Sequence, residues 1–315
     1  MVNPVGAGDV YDREPITTSG IIAVVNLHAQ IESLTAAAMR TAAEDRLALI
    51  DLLTLRGHVL GRIADYERAE ELAELLVRDT PRGPIALLAR ARTRATFHRF
   101  DDALADLDAA ELNGLDRGTL EAERATILQA LGERVRAEAY YTDAVQVRPD
   151  FAALGGLAVL RAESGDVAEA ERLFTEARGR YRATSPFPVA SLDFRRGLMW
   201  LRADDLPTAC TWLEAARHRV PGYAPVLGRL AEIDLLHGAH EAAIDRLSPL
   251  TSSSDDPAYP AGLAHALDAA GRRHEADEQR AAAAARYEQL ALRHPEAYAE
   301  HAAEFRSDVL GHSVR

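Results

Sequence analysis

The chain has 315 residues, 48% of them hydrophobic and 27% charged, a composition able to bury a substantial core. Its formal net charge of −13 excludes the surplus of Lys and Arg that wrapping nucleic acid or sitting on an anionic membrane requires. All 36 basic residues are arginine, and the single Cys210 leaves no internal disulfide to form, so the expected setting is the cytoplasm.

Residues 1–20, MVNPVGAGDVYDREPITTSG, are rich in Gly, Pro, Asp and Thr and read as an extended tail. Acidic rather than basic residues precede the short apolar run IIAVVNL. No apolar stretch reaches the roughly 18 residues a membrane span needs, so neither an export signal nor an anchor is expected. A first helix is predicted over 20–40 after the cap run TTS, and the capping box Thr41-Ala-Ala-Glu44 starts the next.

From there the chain repeats itself. Ala69 in YERAEEL, Ala103 in FDDALAD and Ala137 in RVRAEAY are followed by Ala170, Ala209, Ala243 and Ala276, at steps of 34, 34, 33, 39, 34 and 33 residues. Twelve residues before each alanine lies a second small residue: Gly57, Ala91, Ala125, Ala158, Gly197, Ala231 and Ala264. Five residues before the alanine, Gly132, Gly165, Gly238 and Gly271 mark a turn between two periodic apolar segments. Pro81, Pro149 and Pro221, twelve residues after it, stop the second segment. Each unit therefore reads as helix, tight turn, helix, stop. The small residues let the paired helices approach to the short end of the ~8–10 Å range, with Leu53, Leu72, Leu107 and Phe174 filling the layers around them.

The 39-residue step places a five-residue insertion in RYRATSPFPVASLDF, residues 180–194, where Pro186 and Pro188 are expected to prevent helix. It reads either as a loop that bends the array or enters its groove, or as a tolerated surface insertion. At the far end RRHEADEQRAAAAARYEQLALRH is predicted to be one long helix, and PEAYAEHAAEF, opening on a proline, a closing cap. The expected organisation is a tail over 1–20, a first array over 21–182, the insertion over 183–190 and a second array over 191–315.

This pattern resembles the tetratricopeptide repeat (TPR) family over about residues 50–285. Departures fall in the first helices, where Glu121, Asp193 and Pro260 occupy the place of a large apolar residue. The resemblance implies an all-α fold, a right-handed α-solenoid of about seven helix-turn-helix units with terminal capping helices. It also implies a non-catalytic adaptor, possessing no cofactor, whose first helices line a concave groove for a peptide or helix of a partner protein. The positions it assigns to that groove are Thr54, His58, Arg62, Leu88, Arg92, Thr96, Gln129, Phe194, Arg195, Leu198, Arg202, Arg229, Glu232 and His265.

Among them Arg62, Arg92, Arg195, Arg202 and Arg229 are suited to bidentate bonds with carboxylate or phosphate, which points to an acidic or C-terminal carboxylate feature on the partner. The competing reading pairs them with the chain's own surplus of Asp and Glu. The carboxylate clamp of chaperone-binding TPR proteins is not expected, because its lysine and asparagine positions hold His58, Leu55, Arg92 and Ala89. No Gly-rich phosphate loop, GxSxG or HExxH appears, and the histidine pairs at 237/240 and 294/301 lack a third ligand at fixed spacing, so no metal or catalytic site is assigned. Cys210, next to Ala209, reads as packing. Two further functions stay open: an accessory subunit of a partner enzyme, and a peptide-sensing regulator.

Overall fold

The computed structural model describes residues 14–38 and 43–313, and the described residues after Ser19 are helices joined by turns and short loops. The expected tail over 1–13 and the capping box at Thr41 lie outside the described residues. The chain forms two compact units. Of the described residues, one unit comprises those up to Asn26 together with Asp116–Pro221; the other comprises those within Leu27–Leu115 and from Gly222 onward. No helix among the described residues is long and apolar enough to cross a membrane.

The first unit holds the start of α1 (Gly20–Ala38) and three repeats: α6 (Arg117–Ala130) with α7 (Arg134–Val147), α8 (Phe151–Glu163) with α9 (Val167–Arg180), and α10 (Phe187–Arg202) with α11 (Leu206–Arg219). The aspartates that precede four of these helices cap them: Asp116, Asp150, Asp166 and Asp205 accept from backbone N–H groups of the first turn. Its core includes Leu154, Leu157, Leu173, Phe174, Leu192 and Met199. Pro186 and Pro188 do not keep the segment out of helix as the sequence suggested. α10 begins between them at Phe187, with Pro188 in its first turn, where the missing N–H costs no hydrogen bond.

The second unit contains the rest of α1, then α2 (Ala43–Leu60) with α3 (Ile63–Asp79), and α4 (Pro84–Thr96) with α5 (Phe100–Leu112). After Gly222 come α12 (Ala224–Leu236) with α13 (His240–Leu247), the single turn α14 (Leu250–Ser253), α15 (Ala258–Ala269) with α16 (Arg273–Arg293), and α17 (Pro295–Ser313). Pro249 halts α13 after eight residues, so the sixth repeat lacks a full second helix.

Sequence-distant parts of this unit are stitched together by polar contacts. The carboxylate of Asp255 accepts from the N–H groups of Ile63 (2.6 Å) and Ala64 (3.1 Å), capping α3, whose own Arg62 supplies no side-chain cap, and it also binds Arg286 at 2.7 Å. His294 stacks on Phe97 and bonds to Glu67. Tyr223, 1% exposed, meets His58 Nε2 through its hydroxyl at 2.7 Å.

The periodic small residues are where the paired helices touch. Ala69, Ala103, Ala137, Ala170, Ala209, Ala243 and Ala276 are each 0% exposed. A Cβ on Gly57 would meet the Tyr66 ring at 2.7 Å, and one on Gly197 would meet Leu213 at 2.9 Å. The four turn glycines are left-handed, with φ between 71° and 80°. The same turn in the second and fifth repeats is made by His98 and Asp204, both at φ 58°. These two side chains therefore carry a backbone strain that glycine escapes.

Two outcomes follow for thermal unfolding. Asp204→Gly is expected to stabilise the protein by about 0.5–1 kcal/mol while Gly271→Ala destabilises it by about 1 kcal/mol, opposite signs at one register position. Asp255→Ala is expected to cost about 2 kcal/mol, because two N–H groups at the start of α3 and the Arg286 guanidinium lose their acceptor together.

Candidate functional site

Within the first unit, α10 carries polar residues on two sides with opposite fates. On one side Asp193 is 0% exposed and Arg196 5% exposed. Asp193 stands at the position that leucine fills in several other repeats, as Leu53 and Leu154 do, so an apolar layer is here replaced by a charge. That charge is answered by Arg178 of α9, which donates through Nε to Asp193 Oδ1 at 3.0 Å, and by Arg219 at the end of α11. Arg219 Nε and Asp193 Oδ2 stand 3.8 Å apart, and neither atom has a hydrogen-bond partner among the described residues. Burial pushes the Asp193 carboxyl above the usual carboxylate range, against the pull of Arg178 and Arg219.

Arg196 belongs to a second network. Its guanidinium lies over the Trp212 ring, 3.5 Å from the centroid, and binds Glu171 and Thr175, while the Trp200 indole N–H donates to Glu171 at 3.2 Å. Both tryptophans of the chain are thus engaged around α10. The network fixes the rotation of α10 against α9 and α11.

An extended segment lies across the ends of these helices. Glu14 reaches Arg178 (2.7 Å) and also binds Arg219. Arg219 Nη1 donates to the Pro15 carbonyl at 3.3 Å and to the Thr17 hydroxyl at 3.1 Å. Thr18 donates its N–H (2.8 Å) and its hydroxyl (3.1 Å) to the carbonyl of Thr184, in the loop over 181–186 between α9 and α10. That loop is itself pinned by Tyr181, whose hydroxyl donates to Ser185 at 2.7 Å. Gly20 then meets the backbone of α11 so closely that a Cβ would lie 2.1 Å from the Arg219 carbonyl oxygen. A cleft of about 890 Å³ remains beside the segment, bordered by Ile16, Ile21, Thr211, His218 and Pro221.

The face of α10 that the resemblance assigned to a partner looks different. Phe194 and Leu198 are half-buried, and Arg195 and Arg202 are exposed, on one side of the helix at i, i+1, i+4 and i+8. Among the described residues, Arg195 and Arg202 make no ion pair. Gln129, on α6, donates to Glu163 at 3.0 Å.

In the second unit the assigned positions are mostly taken by contacts of the unit's own. His58 is held by Tyr223, Arg62 lies 3.4 Å from Asp65, Arg92 lies 3.7 Å from Asp51, and Arg229 binds Glu232 at 2.7 Å. Leu88 is 6% exposed and belongs to the core. The hydroxyls of Thr54 and Thr96 donate to the carbonyls of Ile50 and Arg92 on their own helices, and His265 is exposed. The pairing of arginines with the chain's own carboxylates, the competing reading of the sequence, therefore holds for Arg62, Arg92 and Arg229 but not for Arg195 and Arg202.

The residues that sequence reasoning passed over are Glu14, Arg178 and Arg219. One signal was present: Asp193 breaks the pattern of large apolar residues, and a buried carboxylate requires a cationic partner.

No family model matches the sequence, and no curated protein does. Solved structures similar in fold include a chain of the APC/C hetero-tetramer Cut9-Hcn1, 13% identical, with a TM-score of 0.58 over 83% of this chain and 51% of that one. A tetratricopeptide repeat protein from Parabacteroides merdae ATCC 43184 is 18% identical, with a TM-score of 0.53 over 82% of this chain and 96% of that one. Yeast Tom70 is 13% identical, with a TM-score of 0.51 over 78% and 49%. The chain spans about half the length of the Cut9-Hcn1 and Tom70 chains it matches. The fold is the tetratricopeptide repeat fold.

The docking of residues 14–19 is expected to depend on pH. Burial raises the Glu14 carboxyl, but its hydrogen bonds and charge pairing with Arg178 and Arg219 outweigh that and leave it below its ordinary value of 4.5. A carboxylate with a lowered pKa contributes stability above its free value and loses it as pH falls through the docked value. The Thr18 amide resonance is expected to hold its position from neutral pH to about 4.5 and then move toward the random-coil shift on further acidification.

Proposed function

We propose that the protein is a non-catalytic adaptor that binds a segment of another protein on the exposed face of α10. The observation that supports this most directly is the contrast between the two sides of that helix. In a chain of net charge −13, where the buried arginines are matched by carboxylates, Arg195 and Arg202 stand exposed without an ion pair among the described residues, beside half-buried Phe194 and Leu198. Two uncompensated guanidiniums flanking an apolar strip favour a partner that brings carboxylates and an apolar side chain.

The Arg196–Trp212 stack and the Asp193 pairings hold this face in a fixed orientation, which lowers the ordering cost of binding. The fold is in keeping with the reading, since one similar chain belongs to a multi-protein assembly, the APC/C hetero-tetramer Cut9-Hcn1. On this reading the adaptor works in the cytoplasm, where Cys210 stays reduced, and it requires no cofactor.

The test is capture of partners from the native host by the wild-type protein and by an Arg195→Ala, Arg202→Ala variant, read by mass spectrometry. A partner retained by the wild type and reduced about tenfold or more in the variant supports the proposal, as expected when two charge-assisted contacts are removed. Equal recovery by both proteins removes α10 from the interface.

A further inference from the structure

The charges around Asp193 do not balance without residue 14. Arg178 and Arg219 bring two positive charges to a place where Asp193, with one negative charge, is the buried carboxylate both of them face. The second carboxylate comes from Glu14, on the extended segment and outside the repeats. Removed from Glu14, the ends of α9 and α11 would present a net positive charge and the unfilled donors of two guanidiniums.

The remaining contacts read a backbone and a pattern. Pro15 is buried and offers its carbonyl to Arg219, Thr17 accepts from Arg219, and Thr18 bonds twice to Thr184. Ile16 is 85% exposed, so its side chain is not read. Main-chain and carboxylate contacts of this kind are how extended peptides are held by folded proteins.

We propose that the ends of α9 and α11, with the 181–186 loop, form a binding site for an extended segment of a partner protein of the form acid-Pro-x-Thr-Thr, and that residues 14–19 are its resident occupant. The site is separate from the exposed face of α10: Arg178 and Arg219 are its anchors, and Arg195 and Arg202 take no part. The resident segment competes because it is tethered, at an effective concentration on the order of millimolar for a short link. It leaves Ile16 in solvent and the 890 Å³ cleft open, so the docked segment adds little apolar burial to its polar contacts. A partner segment that repeats the polar contacts and also fills the cleft outbids it.

The experiment uses the full chain and a fluorescein-labelled peptide of residues 11–19, YDREPITTS, followed by anisotropy. Two variants free the site by different means: Glu14→Ala removes the resident carboxylate, and Gly20→Ala drives a Cβ into the Arg219 carbonyl while leaving every charge in place. Both are expected to bind the peptide about tenfold or more tightly than the wild type, in line with the loss of an intramolecular competitor. A peptide carrying alanine in place of its glutamate is expected to lose that gain.

The proposal is overturned if neither variant binds more tightly than the wild type, or if the alanine peptide binds the variants as well as the parent peptide does. It is also overturned if the wild type forms a dimer that Glu14→Ala dissolves, since the occupant would then be the segment of a second copy. Because the readout is a defined peptide on the purified chain, it is independent of whether α10 captures a partner.

Discussion

The repeats depend on a steric constraint: two helices can lie against each other at short range only where one of them presents a residue small enough to make room for the other. Seven alanines at 0% exposure, each with a glycine or alanine twelve residues earlier in the sequence, supply such residues in every repeat. The rest of each repeat follows from it. Close approach fixes the distance between paired helices, leucine and phenylalanine fill the flanking layers, and the turn, five residues before the alanine in all repeats but the first, must be tight enough to bring the second helix straight back. A left-handed residue does this, and the backbone imposes it even where the sequence offers His98 or Asp204 in place of glycine.

This hierarchy explains what the sequence disclosed. Periodic alanine, glycine and proline act within some 20 residues of one another, so the helices, the turns and the long α16 were readable from the chain. The start of α10 is not readable from proline alone, because proline stops a helix in its interior but is tolerated in the first turn. The contacts that hold the second unit were not readable at all. Asp255 caps Ile63 from 192 positions away, and Tyr223 meets His58 from 165. A single aspartate in SSSDDP carries no mark of which helix it will cap.

The candidate site was partly legible for the same reason. Family resemblance located the exposed face of α10, where Phe194, Arg195, Leu198 and Arg202 lie together, because that face is set by the helical period alone. Resemblance does not separate the arginines that pair within the chain, and Arg62, Arg92 and Arg229 have carboxylates within reach that helical spacing or tertiary packing supplies. Arg229 and Arg202 each have an acid three residues on, Glu232 and Asp205, but Glu232 pairs with Arg229 while Asp205 is engaged in capping α11.

The anchor at Asp193 shows why a break in a repeat is worth more than the repeat. An apolar residue there would need nothing from outside its own layer. A carboxylate buried at 0% exposure calls for cationic partners, and the two guanidiniums that face it bring one positive charge more than it can neutralise. The excess must be met by another anion. Because the repeats supply none at that point, the acceptor has to come from a segment outside them, and the chain brings Glu14 on an extended stretch whose Gly20 is small enough to let it lie against α11. One acid in an apolar layer is thereby sufficient to turn the end of a packed repeat into a receptor for an extended acidic segment.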